Sequence, residues 1–264
     1  MINILFIGDI NGKPGRGAVR ALLPGLIKEK NIDFVAANGE NASGGFGITH
    51  DSFTELKGFG VNVITMGNHT WDNKDIYNFI DGEPCLIRPA NLPAGTPGKG
   101  WSIFPIDGRD AKIGVVNLNG RVFMHPADDP FRAAEKAVSE IRVTTPVILV
   151  DMHAEATSEK QAMGFFLDGK VSAVVGTHTH VQTSDERIHK GGTAFITDVG
   201  MTGPFDSVIG VEKDIILRRF LTFMPEKFEI AKGDVHLNAV AISIDEKTGK
   251  ALKIERIDIK NEQA

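Results

Sequence analysis

Ala173-Val174-Val175-Gly176-Thr177-His178-Thr179-His180 decides the fold of this chain, because an apolar run too short for a helix passes straight into residues able to bind a metal. The same form recurs along the sequence. Ile2–Ile7 leads to Asp9, residues 34–37 to Glu40 and Asn41, 61–66 to Asn68 and His69, and 147–150 to Asp151 and His153. In an open α/β sheet, ligands bind outside the carboxyl ends of the strands, so strands ending this way predict one crevice filled with oxygen and imidazole ligands. That is the pattern of a metal-centred active site.

Around these runs the first two-thirds of the chain alternates strands with helical stretches, the sequence form of βαβ units and a largely parallel sheet. A helix is predicted over 16–30, opened by Pro14-Gly15 and open to a kink at Pro24. Another starts near Thr49, a good N-cap, and a third is expected to be capped by Asp72. Residues 84–120, rich in Pro and Gly, interrupt the alternation with short strands at 101–105 and 113–118 and read as a subdomain or rim. Alternation resumes with a helix over 131–142 and one with Ser158 as N-cap and Gln161 in capping-box register, followed by a strand at 193–197 and a helix near 213–223. Alternating apolar residues at 235–244 and 252–259 flank a polar turn and predict an antiparallel hairpin. Without a repeat or linker, one domain over 1–264 is expected.

Composition narrows the chemistry. With 264 residues, 42% hydrophobic and 24% charged, the chain is an ordinary globular protein. Cys85 is its single cysteine, so neither an internal disulfide nor a thiolate metal site is available and metal ligands must be oxygen and nitrogen. No apolar run nears the ~20 residues of a membrane span, and Met1-Ile2-Asn3 does not open a signal peptide, so a cytoplasmic setting is expected. A net charge of −5 argues against coating polymeric nucleic acid but not against a small phosphorylated ligand, because a metal pair supplies positive charge locally.

Within the strand ends, His178 and His180 are two residues apart, which in extended backbone puts both imidazoles on one face. Asp9 is a candidate ligand or a turn aspartate. Glu40 has two oxygens and is suited to bridge two cations, with Asn41 beside it. Asn68 offers an amide oxygen, while His69 would sit next to the metal without binding it, as a general acid for a leaving oxygen. His153 is a candidate ligand; Asp151 is expected to turn away from it, as a supporting or purely structural residue. Two cations ~3.5–4 Å apart would neutralise phosphoryl oxygens and activate water, and mixed oxygen and imidazole ligands favour iron, manganese or zinc over magnesium or calcium.

Gly8-Asp9, Gly67-Asn68-His69 and Gly176-Thr177-His178-Thr179-His180, with His153 between, resemble the calcineurin-like metallophosphoesterases. More closely, Asn38-Gly39-Glu40-Asn41, Gly67-Asn68-His69-Thr70-Trp71-Asp72, the block from Asp151-Met152-His153 to Glu159-Lys160, and Asp198-Val199-Gly200-Met201-Thr202-Gly203-Pro204 resemble the bacterial YmdB group. The resemblance implies a four-layer α/β/β/α sandwich with mixed sheets and phosphodiesterase activity that includes 2′,3′-cyclic nucleotides. It also implies two transition metal ions, with iron or manganese preferred. By that analogy Asp9, Glu40, Asn41 and His180 hold the first metal, Glu40, Asn68, His153 and His178 the second, and His69 is the acid. The sequence departs from the broad superfamily at Asp9-Ile10-Asn11, where Asp-x-His is usual, and at Glu40, which replaces an aspartate. Arg121 and the turn 198–203 are candidates to line a phosphate, and Trp71 or Phe205 to stack on a base.

The expected activity is hydrolysis of a small phosphodiester, including 2′,3′-cyclic nucleotides to 3′-monophosphates, by metal-bound hydroxide with His69 as acid. A phosphatase or nuclease on another phosphoester, or a regulatory protein that binds a nucleotide or RNA, is the alternative. RNA, a regulatory protein and a second copy of the chain stay open as partners; a membrane is not expected.

Overall fold

Strand residues that change sides at every position require cover on both faces, and the first strand already has it. In the computed structural model, which describes residues 1–262, β1 (Ile2–Ile7) turns Ile2, Ile4 and Phe6 into one buried cluster and Leu5 and Ile7 into another. Then follow β2 (Asp9–Ile10), α1 (Gly12–Lys30), β3 (Phe34–Asn38), α2 (His50–Gly58), β4 (Val63–Thr65), β5 (Leu86–Ile87), β6 (Trp101–Pro105) and β7 (Lys112–Asn119). The second half contributes α3 (Pro130–Ile141), β8 (Ile148–His153), α4 (Thr157–Phe166), β9 (Ala173–Thr177), β10 (Arg187–Ile188) and β11 (Ala194–Ile196). The chain closes with β12 (Met201–Pro204), α5 (Lys213–Thr222), β13 (Val235–Ile244) and β14 (Ala251–Lys260).

These strands form two mixed sheets. The first runs β2-β12-β13-β1-β3-β4-β5 with β14 beside β13, and the second runs β10-β11-β9-β8-β7-β6. Neighbours from β1 to β5 are parallel, whereas β13 is antiparallel to both β1 and β14, which confirms the C-terminal hairpin. In the second sheet β7, β8, β9 and β11 are parallel and the edge strands β6 and β10 antiparallel.

The cores define the layers. Leu5, Ile7 and Val35 meet Val19 and Leu23 of α1 and Phe53 and Leu56 of α2 on the outside of the first sheet. Ile4, Phe6, Phe34 and Val240 meet Val115, Leu149, Val175 and Ile196 between the sheets. Val116, Val150, Met152 and Val174 meet Ala134, Val138 and Ile141 of α3 and Met163 of α4 on the far side. The result is the four-layer α/β/β/α sandwich.

Several local signals are realised differently in the structure. Helix α1 begins at Gly12, ahead of the expected residue 16, with Pro14 in its first turn where a missing N–H costs little. No α-helix follows Asp72; a short 3₁₀ turn, Lys74–Asn78, is capped by Asn73 instead. Helix α4 begins at Thr157 with no side-chain cap, so the expected box of Ser158 and Gln161 does not form. Thr49 does cap α2, accepting from the Ser52 N–H. The stretch 84–120 supplies β5 to the first sheet and β6 and β7 to the second.

Candidate metal centre

His153 ends β8, Glu40 and Asn68 follow β3 and β4, and His178 follows β9, so both sheets deliver side chains to one place. The Nε2 atom of His153 lies 3.0 Å from Asn68 Oδ1, 3.1 Å from Glu40 Oε1 and 3.1 Å from His178 Nδ1. One proton could satisfy one of these three contacts; a cation could be shared by all of them. Gly67 makes the approach possible, because a Cβ there would lie 2.3 Å from His153 Cδ2 and 2.4 Å from Glu40 Oε2.

Asp9, Asn41 and His180 form the adjoining half. Asn41 Nδ2 is 3.1 Å from His180 Nε2 and 3.3 Å from Glu40 Oε1. Asp9 is fully buried; its Oδ2 accepts from the His178 N–H at 3.2 Å, while its Oδ1 has no hydrogen-bond partner among the described residues. A buried carboxylate oxygen left without a donor costs desolvation energy that a cation would recover. Asn11 Oδ1 is likewise buried without a partner, which places an amide oxygen where the superfamily pattern has an imidazole. The donor set therefore fits a pair of borderline divalent cations.

The proton balance divides the set: a cation would have to displace a proton from His153, whereas His178 is already neutral. Burial alone would lower the His153 pKa, but Glu40, then Asp9 and Asp151, push it up to about 9. Burial raises and His153 lowers Glu40, which settles at about 2. His178 is driven down to about 3 by burial and then by the His153 charge, which leaves it neutral, as a ligand must be. Burial pushes the Asp9 carboxyl up, against His180 and His153.

The backbone that delivers the two later histidines differs from expectation. Strand β9 stops at Thr177, and His178 and His180 have φ of 99° and 64°, so they converge through left-handed backbone rather than strand alternation. A buried ion pair underlies this loop. Lys160 Nζ donates to Asp198 Oδ2 at 2.7 Å, and the same oxygen accepts from Thr179 N at 3.0 Å and Thr179 Oγ1 at 2.7 Å.

Asp151 also departs from expectation. It faces the same way as His153, as residues two apart in a strand do, and both touch Thr177 Oγ1. The Thr177 hydroxyl donates to Asp151 Oδ1 at 2.7 Å; having one hydrogen, it can only accept from His153 Nδ1, 2.9 Å away. Burial, partly offset by His153, pushes Asp151 up to about 6. Thr177 and Asp198 both lie within the quoted motifs, which was their signal, but nothing in the sequence paired them with His153 or Lys160.

His69 stands apart from the candidate ligands. Its N–H donates to Glu40 Oε2 at 3.0 Å, and its Nδ1 lies 2.6 Å from Asp72 Oδ2. Asp72, read as a helix cap, thus orients an imidazole instead. His69, Glu40, Asn41, His178 and His180 line one cavity of about 420 Å³, together with Phe46 and Phe228. Arg121, Trp71 and Phe205 are not among its lining residues. Trp71 stacks on Tyr77 and Phe205 on His236, outside the cavity, and the phenylalanines that line it are Phe46 and Phe228, themselves stacked at 6.5 Å.

With this geometry in place, comparison with known proteins decides the family: the model of the YmdB-like proteins matches residues 5–257. The chain belongs to the YmdB-like family. It is 51% identical over 261 residues to the 2′,3′-cyclic-nucleotide 2′-phosphodiesterase of Bacillus subtilis, covering 99% of this chain and 98% of that protein. A crystal structure described as a novel phosphatase from Mycoplasma pneumoniae superposes with a TM-score of 0.92 at 38% identity, over 98% of this chain and 93% of that one. The 5′-nucleotidase of Candida albicans, at 12% identity and a TM-score of 0.58 over 98% of this chain and 52% of its own, shares the fold alone. The sandwich is therefore of the metallophosphoesterase type, and the chain is an enzyme of a phosphatase and phosphodiesterase family. No helix among the described residues is long and apolar enough to cross a membrane.

Proposed function

We propose that this chain is a metal-dependent phosphodiesterase that opens 2′,3′-cyclic nucleotides to 3′-monophosphates. The observation that carries the reading is the convergence of Glu40, Asn68 and His178 on His153 Nε2, in a chain half identical to a relative named for that activity. Asp9, Glu40, Asn41 and His180 would hold a first cation and Glu40, Asn68, His153 and His178 a second. We choose iron or manganese, since mixed oxygen and imidazole shells suit them. When bound, the pair would supply positive charge to the phosphoryl oxygens and lower the pKa of a water toward ~7.

The chain's own residues do the rest. Glu40 is held by the His69 N–H at Oε2, which leaves Oε1 facing His153. Asp72 accepts from His69 Nδ1, which fixes the ring and leaves Nε2 as the nitrogen that hands over a proton. In the reaction a water gives one proton to solvent as its oxygen bonds to phosphorus, the bond from phosphorus to the ribose 2′ oxygen breaks, and His69 protonates that oxygen. Phe46 and Phe228 offer the base an apolar wall. A cytoplasmic setting belongs to the same proposal.

Metal-reconstituted turnover tests it. His69→Ala is expected to lose about 10²- to 10⁴-fold in kcat on 2′,3′-cyclic AMP, and much less on an aryl ester whose leaving group needs no proton. Asn68→Ala should lose activity on both. Normal cyclic-nucleotide hydrolysis by both variants would overturn the mechanism. A phosphomonoester is the second reading, favoured by the phosphatase description of the mycoplasma relative; a clear preference for monoesters in a substrate panel would install it.

A further inference from the structure

Beside the catalytic cavity lies a larger hollow, about 1050 Å³ against 420 Å³, and the two share walls at Gly44 and Ile230. At that shared wall Ile230 packs closely on Gly12, where a Cβ would lie 2.2 Å from Ile230 Cδ1. Lys13, Arg16, Arg20 and Lys232 line the hollow, and no acidic residue does. Arg16 is engaged by the Ala42 carbonyl and by Glu55. Lys13, Arg20 and Lys232 are exposed and have no ion-pair partner among the described residues. In a chain of net charge −5, three cations in one concavity with no ion-pair partner among the described residues make a local anion trap. Ser43, Thr49 and Ser52 on the same wall are hydrogen-bonded to one another around the α2 cap, so the cations are what this hollow offers an anion.

We propose that this hollow binds the phosphate backbone of a single-stranded RNA whose 2′,3′-cyclic end occupies the catalytic cavity. The proposal rests on reading that cavity as a cyclic phosphodiesterase site. A 2′,3′-cyclic phosphate has both ribose hydroxyls tied up, so on a polymer it is a chain end and the strand continues only from the 5′ side. A cavity of 420 Å³ is at the small end for one bound molecule, so further nucleotides must lie outside it. The basic hollow is the adjoining space, and each added nucleotide brings one negative charge. A mononucleotide, ending within the catalytic cavity, would not use it. The chain thereby gains a preference for cyclic-phosphate ends on oligoribonucleotides over free cyclic nucleotides.

The test compares the metal-reconstituted parent with the triple variant Lys13→Glu, Arg20→Glu, Lys232→Glu. Turnover is read on 2′,3′-cyclic AMP and on a pentaribonucleotide ending in a 2′,3′-cyclic phosphate; binding is read by fluorescence anisotropy on the pentamer ending in a 3′-monophosphate. The parent is expected to favour the cyclic pentamer. The variant should lose about tenfold or more in kcat/KM on it while keeping its rate on cyclic AMP, and should lose about 2 from the salt slope of binding, three contacts at about 0.7 each. Equal kcat/KM on both substrates in the parent, or an equal loss on both in the variant, would overturn the proposal. If neither substrate is turned over, the reading of the catalytic cavity fails by itself; anisotropy then still decides the hollow, by whether the variant loses affinity and salt slope. Should the triple variant unfold, Arg20→Ala and Lys232→Ala singly should give the same ordering with smaller effects.

Discussion

A buried imidazole can aim a lone pair at a cation only if its other nitrogen keeps a proton and has somewhere to put it. His180 Nδ1 lies 2.9 Å from the Ile209 carbonyl, which can only accept, so its Nε2 is the free nitrogen beside Asn41. His153 is set in the same way through Thr177 and Asp151. Thr177→Val should therefore weaken metal binding about 10- to 100-fold, measured by competition with a chelating dye, and Thr177→Ser should restore it. Parent-like affinity in the valine variant would mean that Thr177 does not set the imidazole. At this scale the candidates were legible: Asp9, Glu40, Asn68, His153, His178 and His180 stand out because each follows an apolar run. The partners of those residues were not, because Asp72 and Thr177 act across contacts that local propensity does not encode.

Elements place these residues through their ends. Strands β3, β4, β8 and β9 were legible from short apolar runs, yet the loop after β9 takes a left-handed course that Lys160 and Asp198 hold from beneath. Far from the centre, the end of α1 is tied to β14. Glu255 accepts from Lys253 and, at 2.7 Å, from Lys30, and these bonds hold its pKa at about 2, below the ordinary 4.5. The folded state then binds fewer protons than the unfolded state between those values, so stability rises with pH across that window. Glu255→Gln should cost about 1 kcal/mol at pH 7 once solvent screening is allowed for. In urea titrations the gap between variant and parent should shrink as pH falls from 4.5 toward 2; a constant gap would show that the clasp is not electrostatic.

Across the whole molecule, two sheets pressed face to face bring five strand ends, those of β1, β3 and β4 from the first and β8 and β9 from the second, to one centre. A centre shared by both sheets should stabilise their packing when filled. Chelation should lower the thermal midpoint, and metal restored at a hundred times its Kd should return about 2.7 kcal/mol, roughly 5–10 °C in a chain of this size. Differential scanning calorimetry checks this, and an unchanged midpoint would detach the centre from stability. By itself the sequence determined most of the strands and helices, the C-terminal hairpin and the run of candidate ligands at strand ends, since periodicity and residue chemistry are local properties. Only the tertiary structure decided which sheet each strand joined, which carbonyl or hydroxyl set each imidazole, that Phe46 and Phe228 rather than Trp71 wall the cavity, and that Lys13, Arg20 and Lys232 share one hollow. Those outcomes depend on residues brought together from distant parts of the chain, and proximity in space comes from packing both sheets at once.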